Sequence, residues 1–321
     1  MMGTDQEVLE AAVGWLELGQ SVYLVTVGAT WGSAPRPAGS LLAVSGEGGQ
    51  AGSVSGGCVE EDLVERVRSG EFATGGPHRV IYGVTRDQAE RFGLPCGGRL
   101  ELVLERLESA DQSRLLLQAM AGRRSLVRRL CLNTGEVSLH PVGPEQGFSY
   151  DGDNLLKPFG PRWQLLVIGA THIARYLTPI AQSLDYRVIL CEPRAEHADA
   201  WDLADTELER GMPDDAVQAR ADDPRSAVVA LTHDPKLDDM ALMSALTGRA
   251  FYVGALGSAG NNAKRRRRLL DLGLDQAQVA RLRGPVGLPI GGRTPPEIAV
   301  SIAADLTAVR HGRVLQLAQA E

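Results

Sequence analysis

The sequence predicts an α/β protein in two parts. An N-terminal mixed α+β domain covers residues 1–157, and a C-terminal Rossmann-like parallel-sheet domain covers 158–321. Three observations carry that prediction. From Trp163 onward, apolar strand-like runs alternate with helical ones, the pattern of a parallel sheet covered on both faces. One such run, LLVIGATHIARYL, passes from a strand through a glycine turn into a helix. The first half reads differently, as short β-branched strands, hairpin turns and two loops that set a cysteine beside a glycine pair, GSVSGGCVE and LPCGGRLELV.

The elements follow in order. Residues 5–19 place Val8, Leu9, Ala12, Val13 and Leu16 at helical spacing, with Gly19 as the C-cap. SVYLVTVGA (21–29) is a β-branched strand, and TWGSAPRPAGS (30–40) is a loop stiffened by Pro and Gly. LLAVSGEGGQAGSVSG reads as a hairpin turning at GEGG. CVEEDLVERVRSG is a helix with Val59, Leu63, Val64 and Val67 on one side, and HRVIYGV and RLELVLERL are strands. A helix follows from Leu107 to Ala121, then a hairpin over 125–142 turning at Asn133–Gly135. The Gly-, Pro- and Asp-rich stretch 143–162 reads as the end of the first domain plus a linker. Beyond it WQLLVIGA, YRVILCEP, SAVVALT, AFYVGAL and GPVGLPI read as strands separated by helices.

Composition narrows the function. Hydrophobic residues make up 44% and charged residues 23%, which is globular. A net charge of −7 argues against nucleic acid as a partner, because phosphate binders carry a basic surplus. The N-terminus lacks a basic stretch followed by an apolar run, and no apolar run approaches the ~20 residues of a membrane span. The four cysteines show no CxxC pair. These features predict a cytoplasmic protein with reduced thiols and no membrane partner.

The glycine fingerprint of the second half is edited. Gly169 fills the first glycine position of G-x-G-x-x-G/A, Thr171 replaces the second and Ala174 fills the third. Glu192 ends the next strand, where the pattern expects an acid for a ribose hydroxyl. A β-branched Thr171 crowds a pyrophosphate, or offers its hydroxyl to a phosphate at the helix start. His233 and Asp234 follow another strand, at the edge where open parallel sheets bind ligands; a base and a capping pair are both consistent with them. Gly257 and Ser258 open a loop whose amides suit an anion, ahead of the basic run Lys264–Arg268, which points around a helix rather than one way. Thr294, Pro295 and Glu297 form a capping box, and the loop GLPIGGRT before it reads as a cover for the crevice with Arg293 as its ligand-facing charge.

In the first half, Cys58 follows Gly56-Gly57 at a helix start, where amides favour a thiolate and the acids Glu60, Glu61 and Asp62 oppose it. Cys96 precedes Gly97-Gly98. Glycine pairs let a ligand approach the backbone closely. Read alone, the GSVSGGC loop serves equally as a phosphate cradle, a thiol platform or a tight turn. No general base stands at a recognisable spacing from Cys58, and Cys131 and Cys191 read as small buried residues.

WGSAPRPAGSLLAV, AGSVSGGCVEEDLVE and LPCGGRLELVLE resemble the signature stretches of the xanthine dehydrogenase accessory proteins, the XdhC/CoxI family. LLVIGATHIARYL, VILCEPR, ALTHDPKLDD, YVGALGS and GPVGLPIGGRTPPEIAVSIAADL resemble that family's C-terminal domain, so the resemblance spans nearly the whole chain. It implies a maturation factor that binds the molybdenum cofactor (molybdopterin), protects it during sulfuration and helps insert it into xanthine dehydrogenase or a related molybdenum hydroxylase. Cys58 matches the family cysteine associated with cofactor binding and is the implied contact to molybdenum. Cys96 matches the CGG cysteine, and Gly169, Thr171 and Glu192 fall on the family's fingerprint.

The candidate cofactor-binding set is therefore Ser55, Gly56, Gly57, Cys58, Cys96, Gly97, Gly98, Gly169, Thr171, His172, Glu192, His233, Asp234, Gly257, Ser258 and Arg293. The chain departs from the family pattern at Thr171 and at Gly292-Arg293. Implied partners are a molybdenum hydroxylase client, a cysteine desulfurase and a second copy of the chain in a homodimer. The chain lacks iron–sulfur cysteine clusters and is too short to be the hydroxylase itself. Two alternatives stand beside this reading. One is an oxidoreductase using NAD(P), or a protein holding another nucleotide, with His233 as acid/base; the other is a structural component of a hydroxylase with no ligand of its own.

Overall fold

The computed structural model describes residues 5–32, 36–83, 99–142, 147–232 and 234–313. Two units, Met1–Pro161 and Arg162–Glu321, each carry their own core.

In the first unit, β1 (Val22–Trp31), β2 (Leu41–Ser45), β3 (Gln50–Gly52), β4 (His78–Tyr82) and β5 (Arg99–Leu107) form an antiparallel sheet in the order β3-β2-β1-β5-β4. Side chains alternate across a strand, so β1 is buried on both faces. Tyr23, Val25 and Val27 join Val59, Leu63 and Val67 of helix α2 (Cys58–Arg68). Val22 and Leu24 join Val8, Leu9 and Ala12 of α1 (Asp5–Glu17) and Leu116 and Met120 of α3 (Asp111–Ala121). A second antiparallel sheet contains β6 (Leu126–Cys131), β7 (Val137–Pro141), β8 (Ser149–Tyr150) and β9 (Asn154–Phe159) in the order β7-β6-β9-β8. The buried Arg128 on β6 donates to both oxygens of the buried Glu105 on β5, each at 2.7 Å.

The stretch expected to be a linker thus contains a strand, β9, paired residue for residue with β6. Its composition hid it, because Pro158 and the neighbouring glycines read as a breaker. Leu155, Lys157 and Phe159 nonetheless face inward, with Lys157 paired to Asp5 at 2.8 Å.

In the second unit, six parallel strands run in the order β12-β11-β10-β13-β14-β15. They are β10 (Trp163–Ile168), β11 (Tyr186–Cys191), β12 (Thr206–Glu209), β13 (Ser226–Ala230), β14 (Tyr252–Ala255) and β15 (Leu282–Arg283). Counted from β10, this is the 3-2-1-4-5-6 order of dinucleotide-binding sheets, with its crevice where the order reverses between β10 and β13. Leu165, Val167, Val188 and Val229 face helices α4 (His172–Ser183) and α10 (Pro295–Arg310). Leu166, Ile168, Ile189 and Val228 face α6 (Pro213–Arg220), α7 (Pro235–Thr247), α8 (Ala259–Asp271) and α9 (Gln276–Ala280). A short α5 (Ala195–Asp199) follows β11.

Two expectations change here. GPVGLPI is not a strand; the sixth strand is Leu282–Arg283 just before it, and the two prolines of GPVGLPI have no N–H for a ladder. The edge strand β12, TELE, was not legible, because its two glutamates break the apolar pattern that marked its neighbours. Among the described residues, no helix is long and apolar enough to cross a membrane.

Candidate functional site

The GSVSGGC loop joins β3 to α2. It begins at Gly52, whose φ is +91° and where a Cβ would lie 2.4 Å from the carbonyl oxygen of Leu41, so only glycine passes. The loop then wraps around the side chain of Glu60. Oε1 accepts hydrogen bonds from Ser53 Oγ (2.8 Å) and from the amides of Val54 (2.9 Å), Ser55 (2.8 Å) and Gly56 (2.9 Å). Oε2 accepts from the amide of Gly57 (2.8 Å) and from Ser55 Oγ. Glu60 is 6% exposed. Burial pushes its carboxyl up, but the donors from Ser55, Gly56 and Ser53 prevail and hold it down at about 2.

This changes the role of the loop. The amides of Ser55, Gly56 and Gly57 form an anion nest, as the composition suggested, but the anion in it is the chain's own carboxylate. The loop acts as a clasped turn, and its open faces lie elsewhere. A Cβ built on Gly56 or Gly57 meets nothing within 4 Å. Cys58, the first residue of α2, is exposed and free. Burial of Val59, Leu63 and Val67, each contributing on the order of 1.5–3 kcal/mol, fixes the helix that carries it. Of the acids expected to oppose a thiolate, Glu60 is clasped and Asp62 accepts from Tyr82 Oη at 2.6 Å; Glu61 remains exposed. Glu60 is the holder of this loop, which sequence reading took only as an acid near Cys58. A glutamate three residues after a helix cap signals a bond to the cap amide alone, not to the whole loop.

The remaining cysteines stand apart. Cys191 is fully buried, and burial pushes its thiol up to about 12. Cys131 is only half-buried, less than its sequence context suggested. Cys96, Gly97 and Gly98 lie outside the described residues, as does His233.

At the sheet edge of the second unit, Gly169 follows β10 with φ +101°. Thr171 caps α4, and its hydroxyl accepts from the amide of Ala174 at 3.3 Å. Glu192 is fully buried and fully engaged. It accepts from the amide of Ala170 at 2.9 Å, from Arg194 Nε at 2.8 Å and Nη2 at 2.7 Å, and from the amide of Arg194 at 3.1 Å. Burial raises its pKa, but these donors, Arg194 first, bring it below the ordinary value. The acid expected at a ribose hydroxyl is therefore tied to the glycine turn itself.

The other candidates are spread along the same unit. His172 is exposed on the first turn of α4. Asp234 caps α7, accepting from the amide of Lys236 at 2.9 Å. Ser258 caps α8 through the amide of Asn261 at 3.2 Å, after Gly257 at φ +132°. Arg293 is exposed; its amide and that of Thr294 donate to Glu297 at 2.9 Å, the capping box the sequence predicts.

The basic run is mostly structural. Arg265 donates to Asp238 at 2.8 Å, Arg268 to Asp239 at 2.8 and 3.1 Å, and Arg266 to the carbonyls of Leu282 and Gly284 at 3.0 Å. Lys264 and Arg267 are exposed. A cavity of about 430 Å³ opens between Thr232, Asp238, Leu256, Gly257, Lys264 and Arg265. At its wall Asp238 is buried, and burial pushes its carboxyl up to about 6 against the pull of Thr232 and Arg265.

Among the described residues, no three His, Cys, Asp or Glu side chains cluster as a metal site. Cys58 alone is not a site for a bare ion, which needs several protein ligands. One exposed thiol beside an open glycine backbone does suit a metal centre that arrives with its own chelating sulfurs, since soft sulfur ligands go together.

Comparison with known proteins agrees in both halves. Residues 15–83 match the XdhC and CoxI family, and residues 165–306 match the XdhC Rossmann domain. The molybdenum cofactor insertion chaperone PaoD of Escherichia coli (strain K12) is 27% identical over 316 residues, covering 94% of this chain and 88% of PaoD. A probable xanthine dehydrogenase subunit of Bacillus subtilis (strain 168) is 25% identical over 335 residues, covering 96% of this chain and 98% of that protein. A crystal structure described as a xanthine dehydrogenase from Bacillus halodurans has the same fold, with a TM-score of 0.77, 23% identity and 98% of each chain covered.

Proposed function

Because this chain belongs to the XdhC/CoxI family, we propose that it is a maturation factor for molybdenum hydroxylases. It binds the molybdenum cofactor as cargo, stabilises it for sulfuration and delivers it to xanthine dehydrogenase or a related enzyme. The observation that carries the reading is Cys58, an exposed thiol on the first turn of a buried-face helix, beside two glycines with free space. The sulfur there meets the molybdenum or a dithiolene sulfur of the cargo. Gly56 and Gly57 let the flat pterin approach the backbone, and Ser55 holds the loop through Glu60 rather than touching the cargo. Cys96, Gly97 and Gly98 belong to the same proposed set on the family resemblance.

In the second unit the proposed contacts are the exposed His172, the loop Gly257-Ser258 above the 430 Å³ cavity, and Arg293. Gly169, Thr171, Glu192 and Asp234 shape that edge. The engagement of both Glu192 oxygens weighs against NAD(P) as the ligand. A cytoplasmic setting, a hydroxylase client, a cysteine desulfurase as sulfur donor and a homodimer complete the proposal.

The test is titration of the purified protein with isolated molybdenum cofactor, aerobically and anaerobically, followed by transfer to an apo-hydroxylase. Saturable binding that Cys58→Ala weakens at least about tenfold, with transfer that activates the apoenzyme, is expected. Equal affinity of wild type and Cys58→Ala would remove the role of the thiol, and absence of binding in both would remove the chaperone reading.

A further inference from the structure

We propose that Glu60 is the positioning residue for Cys58: by gathering loop 53–57 onto its carboxylate, it fixes where the thiol is presented. The inference rests on the reading of Cys58 as the contact to the cargo. A helix cap commonly needs one or two hydrogen bonds. Glu60 takes six, from Ser53, Val54, Ser55 (twice), Gly56 and Gly57. Every residue between β3 and Cys58 is thereby held by one side chain. The loop needs such a clasp, because Gly56 sits at φ +95°, Gly57 follows, and neither has side-chain contacts of its own to limit it.

The direction of the thiol follows from helix geometry. Residues two apart on a helix point roughly 200° apart. A Glu60 side chain folded back into the loop and buried therefore sends Cys58 outward, and Cys58 is exposed while Glu60 is 6% exposed. Both ends of the segment are anchored. Gly52 pairs with Leu42 in the sheet, and Val59, Leu63 and Val67 are sunk in the core. Of the five residues between these anchors, Val54 is itself sunk in the core and the Ser53 amide donates to Leu41, which leaves Ser55, Gly56 and Gly57 to place the thiol, and Glu60 accepts from all three. The clasp also spreads the glutamate charge over four amide dipoles, so an acid two residues from a cargo-binding thiol sits there at low electrostatic cost.

Glutamine at position 60 keeps the shape but presents an N–H₂ where Oε2 accepts from the Gly57 amide, so that contact becomes repulsive. The decisive experiment is a double-mutant cycle. Anaerobic affinity for isolated molybdenum cofactor is measured for wild type, Glu60→Gln, Cys58→Ala and the double variant, with a melting curve for each. Cys58→Ala and Glu60→Gln should each weaken binding at least about tenfold, and adding Glu60→Gln to Cys58→Ala should change it less than about twofold, because the residue acts through the thiol. Multiplying effects in the double variant, or wild-type affinity in Glu60→Gln, would overturn the proposal.

A second arm needs no cofactor. The alkylation rate of Cys58 by N-ethylmaleimide should change at least about threefold in Glu60→Gln, while Cys131, on the other sheet, reacts as in wild type. An unchanged Cys58 rate overturns the positioning role whatever the cofactor does. Wild-type cofactor affinity in Cys58→Ala, with a changed alkylation rate in Glu60→Gln, would instead sink the cargo reading and leave the clasp standing. If Glu60→Gln does not fold, the Ser53→Ala/Ser55→Ala variant removes the hydroxyl donors and keeps the carboxylate. The same alkylation change is expected of it, and its absence counts against the proposal.

Discussion

A β-carbon placed on Gly169 would lie 2.6 Å from Cγ2 of Thr232 and 3.3 Å from its Cα, so the ends of β10 and β13 meet with room for hydrogen only. Gly169 also sits at φ +101°, which a side chain resists. Gly169→Ala should therefore destabilise the second unit by on the order of 2–4 kcal/mol. Urea denaturation would show this as a lower midpoint at unchanged slope.

Thr171 tells the same edge from the other side. Its hydroxyl caps α4, so Thr171→Ala should cost about 1 kcal/mol and Thr171→Ser very little. Equal stability of all three proteins in chemical denaturation would remove the capping role.

Glu192 has no oxygen left for a ribose, because Arg194 and the Ala170 amide take both. Titration with NADH or NADPH should leave nucleotide fluorescence and the melting temperature unchanged. A saturable change in either would reinstate the nucleotide reading.

The clasped carboxyl of Glu60 gives a pH signature. Its folded pKa is held at about 2, below its ordinary value of 4.5, so its stabilisation is fully present above 4.5. It is lost as pH falls from there through 2. The displacement corresponds to on the order of 3 kcal/mol. The stability gap between wild type and Glu60→Gln should be constant above pH 5 and shrink steadily below it, as read by denaturation at stepped pH.

Arg128 and Glu105 form a buried pair at the junction of the two sheets of the first unit. Arg128→Met leaves a carboxylate buried without its partner and should cost about 3–5 kcal/mol. Replacing both, as Arg128→Met with Glu105→Leu, should recover most of that loss. A double variant less stable than Arg128→Met alone would show that the pair is not the source of the cost.

The physical reasons for what could and could not be read are visible in particular residues. The strands β10, β11, β13 and β14 announced themselves because burial on both faces demands an unbroken apolar run. Strand β12 hid because an edge strand tolerates charge. Strand β9 hid because pairing with β6 overrode a breaker-rich composition. The run Lys264–Arg268 points around its helix as its spacing implies, but the sequence does not show the partners: Arg265 binds Asp238, Arg266 the Leu282 and Gly284 carbonyls, and Arg268 Asp239.

The sequence by itself determined the two-part α/β organisation, the Rossmann-like order of alternating elements, the capping box at Thr294 and the placing of Cys58 at a helix start, because each is set by local period or spacing. Only the tertiary structure decided what the GSVSGGC amides hold. Composition shows that donors converge there but not which acceptor arrives, and the acceptor is the side chain of Glu60, brought back by the first turn of the helix that also turns Cys58 outward.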